Sequence, residues 1–96
     1  MIATLVTFDL GNDFDAETVR QNALIARSKF ENMPGLRSKA FSIDVDKKQA
    51  RNFYIWEGEA AARNFFSEEI LAGVTKFYGV RPSIEYLEIA TLVDNH

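Results

Sequence analysis

There is no cysteine in these 96 residues, which removes disulfides, thiolate nucleophiles and cysteine-ligated metals together. Histidine is almost as scarce. Its one copy is His96, the last residue, where a chain end frays, and it is given no role. Basic runs are missing as well: the 11 Lys and Arg are spread along the chain against 14 Asp and Glu. Nothing would track a phosphate backbone or an anionic bilayer, so no nucleic acid and no membrane partner is expected. Long apolar segments are also lacking. The start, Met1 to Asp9, has neither the basic region nor the apolar core of a signal peptide, and no stretch approaches a membrane span. A soluble, cytoplasmic protein is the expectation.

What is present is an ordinary globular balance, with 47% hydrophobic and 26% charged residues, which excludes disorder. The length holds one domain, residues 1–96, near the size at which a partner subunit helps appreciably. Aromatic residues gather in one stretch. Arg51-Asn52-Phe53-Tyr54-Ile55-Trp56-Glu57-Gly58 reads as a period-two strand and runs directly into an alanine-rich helix, Glu59 to Phe66. Phe53, Ile55 and Glu57 share one face of that strand, and Asn52, Tyr54, Trp56 and Gly58 share the other. Neither face reads as wet, so each needs a cover.

The rest of the chain supplies elements around it. Residues 2–9 alternate as a strand rich in branched side chains. Asp15 is a helix N-cap two residues before Glu17, and a helix over about 16–31 follows, with Val19, Ala23, Ala26 and Phe30 on one stripe. Asn22 sits at the margin of that stripe, where its amide could point into a cavity between helix and sheet or simply meet solvent. Met33-Pro34-Gly35-Leu36 stops the helix. A second strand over 37–46 places Phe41, Ile43 and Val45 on one face and the small Ser38, Ala40 and Ser42 on the other; a close-packed helix or a ligand would use the room that small residues leave. The polar link Asp46 to Gln49 predicts a hairpin to the aromatic strand. After the helix from Glu59 comes a second helical piece, Glu68 to Val74, then a loop over 76–82, then a last strand over 83–93. The order is β-α-β-β-α-β, a ferredoxin-like α+β arrangement with an antiparallel sheet and its helices on one face. The other sheet face is then an association surface, and a homodimer closing sheet against sheet is expected.

Three pieces of sequence carry a resemblance: Phe53-Tyr54-Ile55-Trp56-Glu57 ahead of Glu59-Ala60-Ala61, the pair Phe65-Phe66, and Tyr78-Gly79-Val80-Arg81-Pro82-Ser83-Ile84-Glu85-Tyr86 leading to Leu92-Val93-Asp94-Asn95. With them the chain resembles the dimeric α+β barrel proteins, specifically the YdhR-like proteins assigned as monooxygenases and related to the antibiotic-biosynthesis monooxygenases. The resemblance implies a homodimer with a small, largely apolar pocket between sheet and helices in each subunit. It also implies oxidation of a small aromatic, phenol- or quinol-like molecule by oxygen with no cofactor: no flavin, haem or metal. The substrate's own carbanion would reduce oxygen, and the protein would orient and desolvate it. Residue types that fit the substrate-binding role are Trp56, Tyr54, Asn22, Tyr78 and Arg81. If Phe53 and Ile55 faced the helices instead, Tyr54 and Trp56 would belong to the dimer interface. Relatives that degrade haem use an internal histidine, which this chain lacks, so that activity is disfavoured.

Three other functions share parts of the pattern. A non-catalytic dimeric module that binds a small apolar molecule would look much the same. RNA-recognition domains share the element order and stack bases on aromatics of strands one and three, but the acidic charge and missing glycines argue against one here. Glu57 and Glu59 could divide acid and base roles, yet they bracket a glycine at the start of a helix, where glutamate is favoured for its charge.

Overall fold

The computed structural model describes residues 1–95; His96 lies outside the described residues. The branched residues of Ile2–Asp9 form β1, on which the sheet is assembled. On one side β1 pairs antiparallel with β3 (Gln49–Trp56), and on the other with β4 (Ser83–Glu88). Beyond β3 lies β2 (Leu36–Asp44), giving the order β2-β3-β1-β4. Helix α1 (Ala16–Phe30) links β1 to β2, while α2 (Glu59–Phe65) and α3 (Glu68–Tyr78) link β3 to β4. This is the expected ferredoxin-like α+β arrangement, with its second helix in two pieces.

Local chemistry explains the helices. The Asp15 carboxylate accepts from the Glu17 amide and the Thr18 hydroxyl, both at 3.1 Å, so one orphan amide at the start of α1 is satisfied by its cap. The Ser67 hydroxyl accepts from the Ile70 amide at 3.2 Å and does the same for α3. No helix among the described residues is long and apolar enough to cross a membrane.

Pairing settles which face of β3 meets the helices. Tyr54 stands opposite Thr4, Asn52 opposite Val6 and Ala50 opposite Phe8, and paired residues share a face. Val6, Phe8, Ala50, Tyr54 and Trp56 form the buried core with Val19 of α1 and Ala62 of α2. The reverse arrangement, with Phe53 and Ile55 beneath the helices, does not occur. Those two lie on the outer face with Leu5 and Leu87, where Phe53 is 38% and Leu87 44% exposed.

Several boundaries differ from expectation. Strand β2 ends at Asp44, two residues early, because the Asp44 carboxylate accepts from the Lys47 amide at 3.1 Å and Lys48 takes a positive φ of 57°. Val45 consequently lies in the turn, exposed. The small residues of β2 do not receive a helix either. Ala40 pairs with the outer-facing Phe53 and Ser42 with Arg51, so Phe41 and Ile43 meet the helices instead. Helix α3 runs four residues past Val74, which makes Tyr78 a helical residue; Gly79, at φ 81°, closes it by donating to the Thr75 carbonyl at 2.8 Å. Strand β4 stops at Glu88, far short of 93. Glu88 pairs with Ile2, the first residue of β1, and the ladder between the two strands ends there.

Gly35 is the one position where conformation and contact both demand glycine. Its φ is 82°, and a Cβ there would lie 2.7 Å from the Cβ of Ala61 in α2. Its carbonyl also accepts from the Glu57 amide at 2.9 Å. The turn before β2 is thereby fixed against the start of α2.

Candidate ligand cavity between helices and sheet

Alternation along β3 delivers Ala50, Asn52, Tyr54 and Trp56 to the helix side, and the two ends of that row meet different surroundings. At the Trp56 end the sheet is sealed. Phe65 of α2 and Phe66, which caps it, place their rings 5.4 and 5.9 Å from the indole, and Tyr54 stacks on it at 5.5 Å with the rings 9° apart. Trp56 donates from Nε1 to Thr4 Oγ1 at 3.0 Å, so the polar atoms of both buried side chains are paired.

Toward Asn52 the interior opens into a cavity of about 590 Å³ bounded by α1, α3 and the sheet. Its walls are mostly rings and aliphatic chains, among them Phe30, Phe41, Tyr54 and Phe65. Polar side chains also border it: Asn22 and Lys29 from α1, Lys39 from β2, Asn52 and Tyr54 from β3, and Glu69 and Tyr78 from α3. A smaller hollow of about 350 Å³ adjoins it around Val19, Ile43 and Ala50, and Phe41, Asn52 and Tyr78 border both. A few converging polar groups in an apolar cavity orient a ligand instead of merely admitting it.

The tyrosines are donors here. Tyr78 stacks on Phe8 at 4.0 Å between ring centroids. Burial pushes the pKa of its hydroxyl up, with the neighbouring Asn52 amide pulling partly the other way. The Tyr54 hydroxyl is pushed far up, first by burial and then by Tyr78, so it keeps its proton.

Lys39 is the unusual member. Its Nζ lies 3.3 Å from the centroid of Phe30, 4.1 Å from Phe41 and 4.3 Å from Tyr54. Burial pushes its pKa from 10.5 down to about 7, while ring faces attract a cation and work against that fall. Among the described residues Lys39 has neither a carboxylate nor a hydrogen-bond acceptor as partner.

Of the five residues singled out from sequence, Asn22, Tyr54 and Tyr78 come together around the cavity. Trp56 does not: it is 1% exposed, behind Tyr54 and beneath α2. Arg81 points away to Glu68, at 3.3 Å on the surface, although the next residue, Pro82, borders the cavity. Glu59, the other carboxylate considered for chemistry, opens α2 and pairs with Arg63 at 2.7 Å. Lys39 and Asn52 were missed. Both carried a signal, since each alternates with core residues, Lys39 with Phe41 and Ile43 and Asn52 with Tyr54 and Trp56.

No family model matches the sequence, and no curated protein matches it. Solved structures do match. One is a crystal structure provisionally named an antibiotic biosynthesis monooxygenase, from Deinococcus radiodurans, at a TM-score of 0.71 and 13% identity over 100% of this chain and 99% of that one. Another is SnoaB, a cofactor-independent oxygenase of Streptomyces nogalater, at 0.68 and 11% identity over 98% of this chain and 97% of that one. A third is the ActVA-Orf6 monooxygenase of Streptomyces coelicolor bound to nanaomycin D, at 0.65 and 18% identity over 98% of this chain and 92% of that one. The chain therefore has the ferredoxin-like α+β fold of the antibiotic biosynthesis monooxygenases.

Proposed function

We propose that the protein is a cofactor-independent monooxygenase acting on a small phenol- or quinol-like molecule held between the helices and the sheet. The observation that carries this reading is the cavity of about 590 Å³, ring-lined and furnished with Asn22, Asn52, Tyr78 and Lys39. The fold shared with oxygenases, one of them cofactor-independent, supports it. In the proposed reaction a substrate hydroxyl is held by the amides and the aromatic ring lies against Phe30 and Tyr54. Asn22 holds the substrate oxygen, Tyr54 and Tyr78 donate hydrogen bonds, Trp56 backs the Tyr54 ring, and Pro82, next to Arg81, borders the cavity. Deprotonated and out of water, the electron-rich ring reduces oxygen directly. For a phenol the balance is one oxygen molecule consumed: one atom enters the ring carbon as a quinone carbonyl, and the other leaves as water with two substrate hydrogens.

Oxygen uptake measured across a panel of phenols and quinols tests the proposal. One oxygen consumed per quinone formed supports it. Binding across the panel without any uptake replaces it with a non-catalytic small-molecule-binding module.

The same reading takes the protein as a homodimer. Leu5, Phe53, Ile55 and Leu87 lie on a sheet face that no helix covers, and an apolar face of that kind is the natural seat of a two-fold contact. Light scattering at micromolar concentration should give twice the chain mass, and Phe53→Asp should give the single chain. A wild-type monomer would overturn this.

A further inference from the structure

Lys39 is a partly buried cation in the cavity wall, and its surroundings narrow the ligand. Lysine is almost never buried without a partner, since removing an ammonium from water is costly. Three ring faces surround Nζ and recover part of that cost. A ring face nevertheless offers no lone pair along an N–H bond, and an ammonium has three donors. The nitrogen therefore borders the cavity with hydrogen-bonding capacity that no protein oxygen among the described residues uses.

We infer that Lys39 Nζ is the proton acceptor and counter-ion of this cavity, which makes its ligand an aromatic compound with an acidic hydroxyl. The inference rests on the reading of the cavity as an aromatic-binding site and adds the chemical class and the residue. In the step itself the ligand O–H bond breaks, an N–H bond forms at Nζ, and phenol and amine become phenolate and ammonium. Net charge does not change on entry. A neutral phenol can thus pass into the apolar space and ionise only where the ammonium can hold it, whereas a carboxylate would have to enter already charged and lose its water.

Other titratable groups around the space do not supply that charge. Tyr54 from β3 and Tyr78 from α3 border it as neutral donors. Lys29 of α1 and Glu69 of α3 also border it, but both are exposed and opposite in sign. The contributions of β1 and α2, Val6, Phe8, Phe65 and Phe66, carry no titratable group.

The experiment is a spectrophotometric titration of the full chain with 3-nitrophenol, coloured only as the phenolate, at about pH 7.5, where the free probe is mostly neutral and Lys39 mostly an amine. Wild type should bind it with the colour of the phenolate. Lys39→Met should bind it colourless and about tenfold or more weakly, the loss expected for one charge-assisted contact. Lys39→Arg, always a cation and no proton acceptor, should bind the phenolate only with release of a proton to the buffer, so that its affinity rises with pH where that of wild type stays level. If Lys39→Met does not fold, the Lys39→Arg pH profile decides. The inference is overturned by colourless binding to wild type, by no binding, by equal phenolate binding to Lys39→Met, or by tighter binding of benzoate. Phenolate capture without oxygen uptake would leave the inference standing and remove the oxygenase; oxygen uptake indifferent to Lys39→Met would do the reverse.

Discussion

Trp56 and Asn52 lie on the same face of one strand, yet one is locked and the other is at the edge of open space. The difference is what stands above them. Over Trp56, α2 lowers two phenylalanines, and the indole N–H finds Thr4. Over Asn52, α1 and α3 leave the cavity, and the polar groups face it. Close packing and open space are thus divided along a single strand. Rigid packing at one end holds Tyr54 in place for the other, an arrangement that favours a well-oriented site.

Substitutions at the two ends can break that comparison. The largest effect is expected for Trp56→Ala, which removes the stacked and edge-on contacts of the sealed end and should cost about 3–5 kcal/mol in denaturant unfolding. A cost below about 1 kcal/mol would mean that the sealed end does not carry the stability assigned to it here. Next is Thr4→Val, which keeps the shape but strands the indole N–H in the core. It should lower stability by about 1–3 kcal/mol, read as a shift in midpoint without a change in slope.

A smaller effect belongs to the hollow end and depends on pH. With its pKa lowered from 10.5 to about 7, Lys39 binds less proton in the folded chain than in the unfolded chain between those values. Folding stability should therefore rise as pH increases through that window and level off below it, where both states are protonated. The ring faces around Nζ narrow the window from its lower end. Lys39→Met should flatten this part of the profile in thermal unfolding between pH 7 and 10.5; an unchanged profile would show that Lys39 keeps its ordinary acidity. The smallest effect is expected for Arg81→Ala, whose pair with Glu68 is exposed on both sides. The melting temperature should hardly move, and a clear loss of ligand affinity would bring Arg81 back to the mouth of the cavity.

Much of the fold was legible because it depends on local chemistry. The Asp15 cap, the Val19 to Phe30 stripe and the Met33-Pro34-Gly35 stop each act within a few residues, and each is where periodicity places it. Choosing the inner face of β3 was not legible, because a period of two gives two equal faces and only pairing with Val6 and Phe8 distinguishes them. The end of β4 was misread for a related reason. Ile89 to Val93 alternates well, but a strand also needs a neighbour, and β1 begins at Ile2. Of the residues that border the cavity, Asn22 and Tyr78 had been singled out by type. Lys39 was passed over because a lysine in a strand is ordinarily a solvent-facing residue, although its alternation with Phe41 and Ile43 places it inside.

The contact between Gly35 and Ala61 reaches beyond this one molecule. Because a Cβ at one position would occupy the space of the other's methyl, the two should vary together in any set of descendants of this sequence. Glycine at 61 would relieve the crowding at 35 while leaving its positive φ to be accommodated, so drift at 35 should favour asparagine over branched residues. Position 61 should stay small wherever 35 gains a side chain. A pair of sites in a turn and a helix, neither of them in the cavity wall, would then record the lineage of the fold more faithfully than the residues that line the cavity.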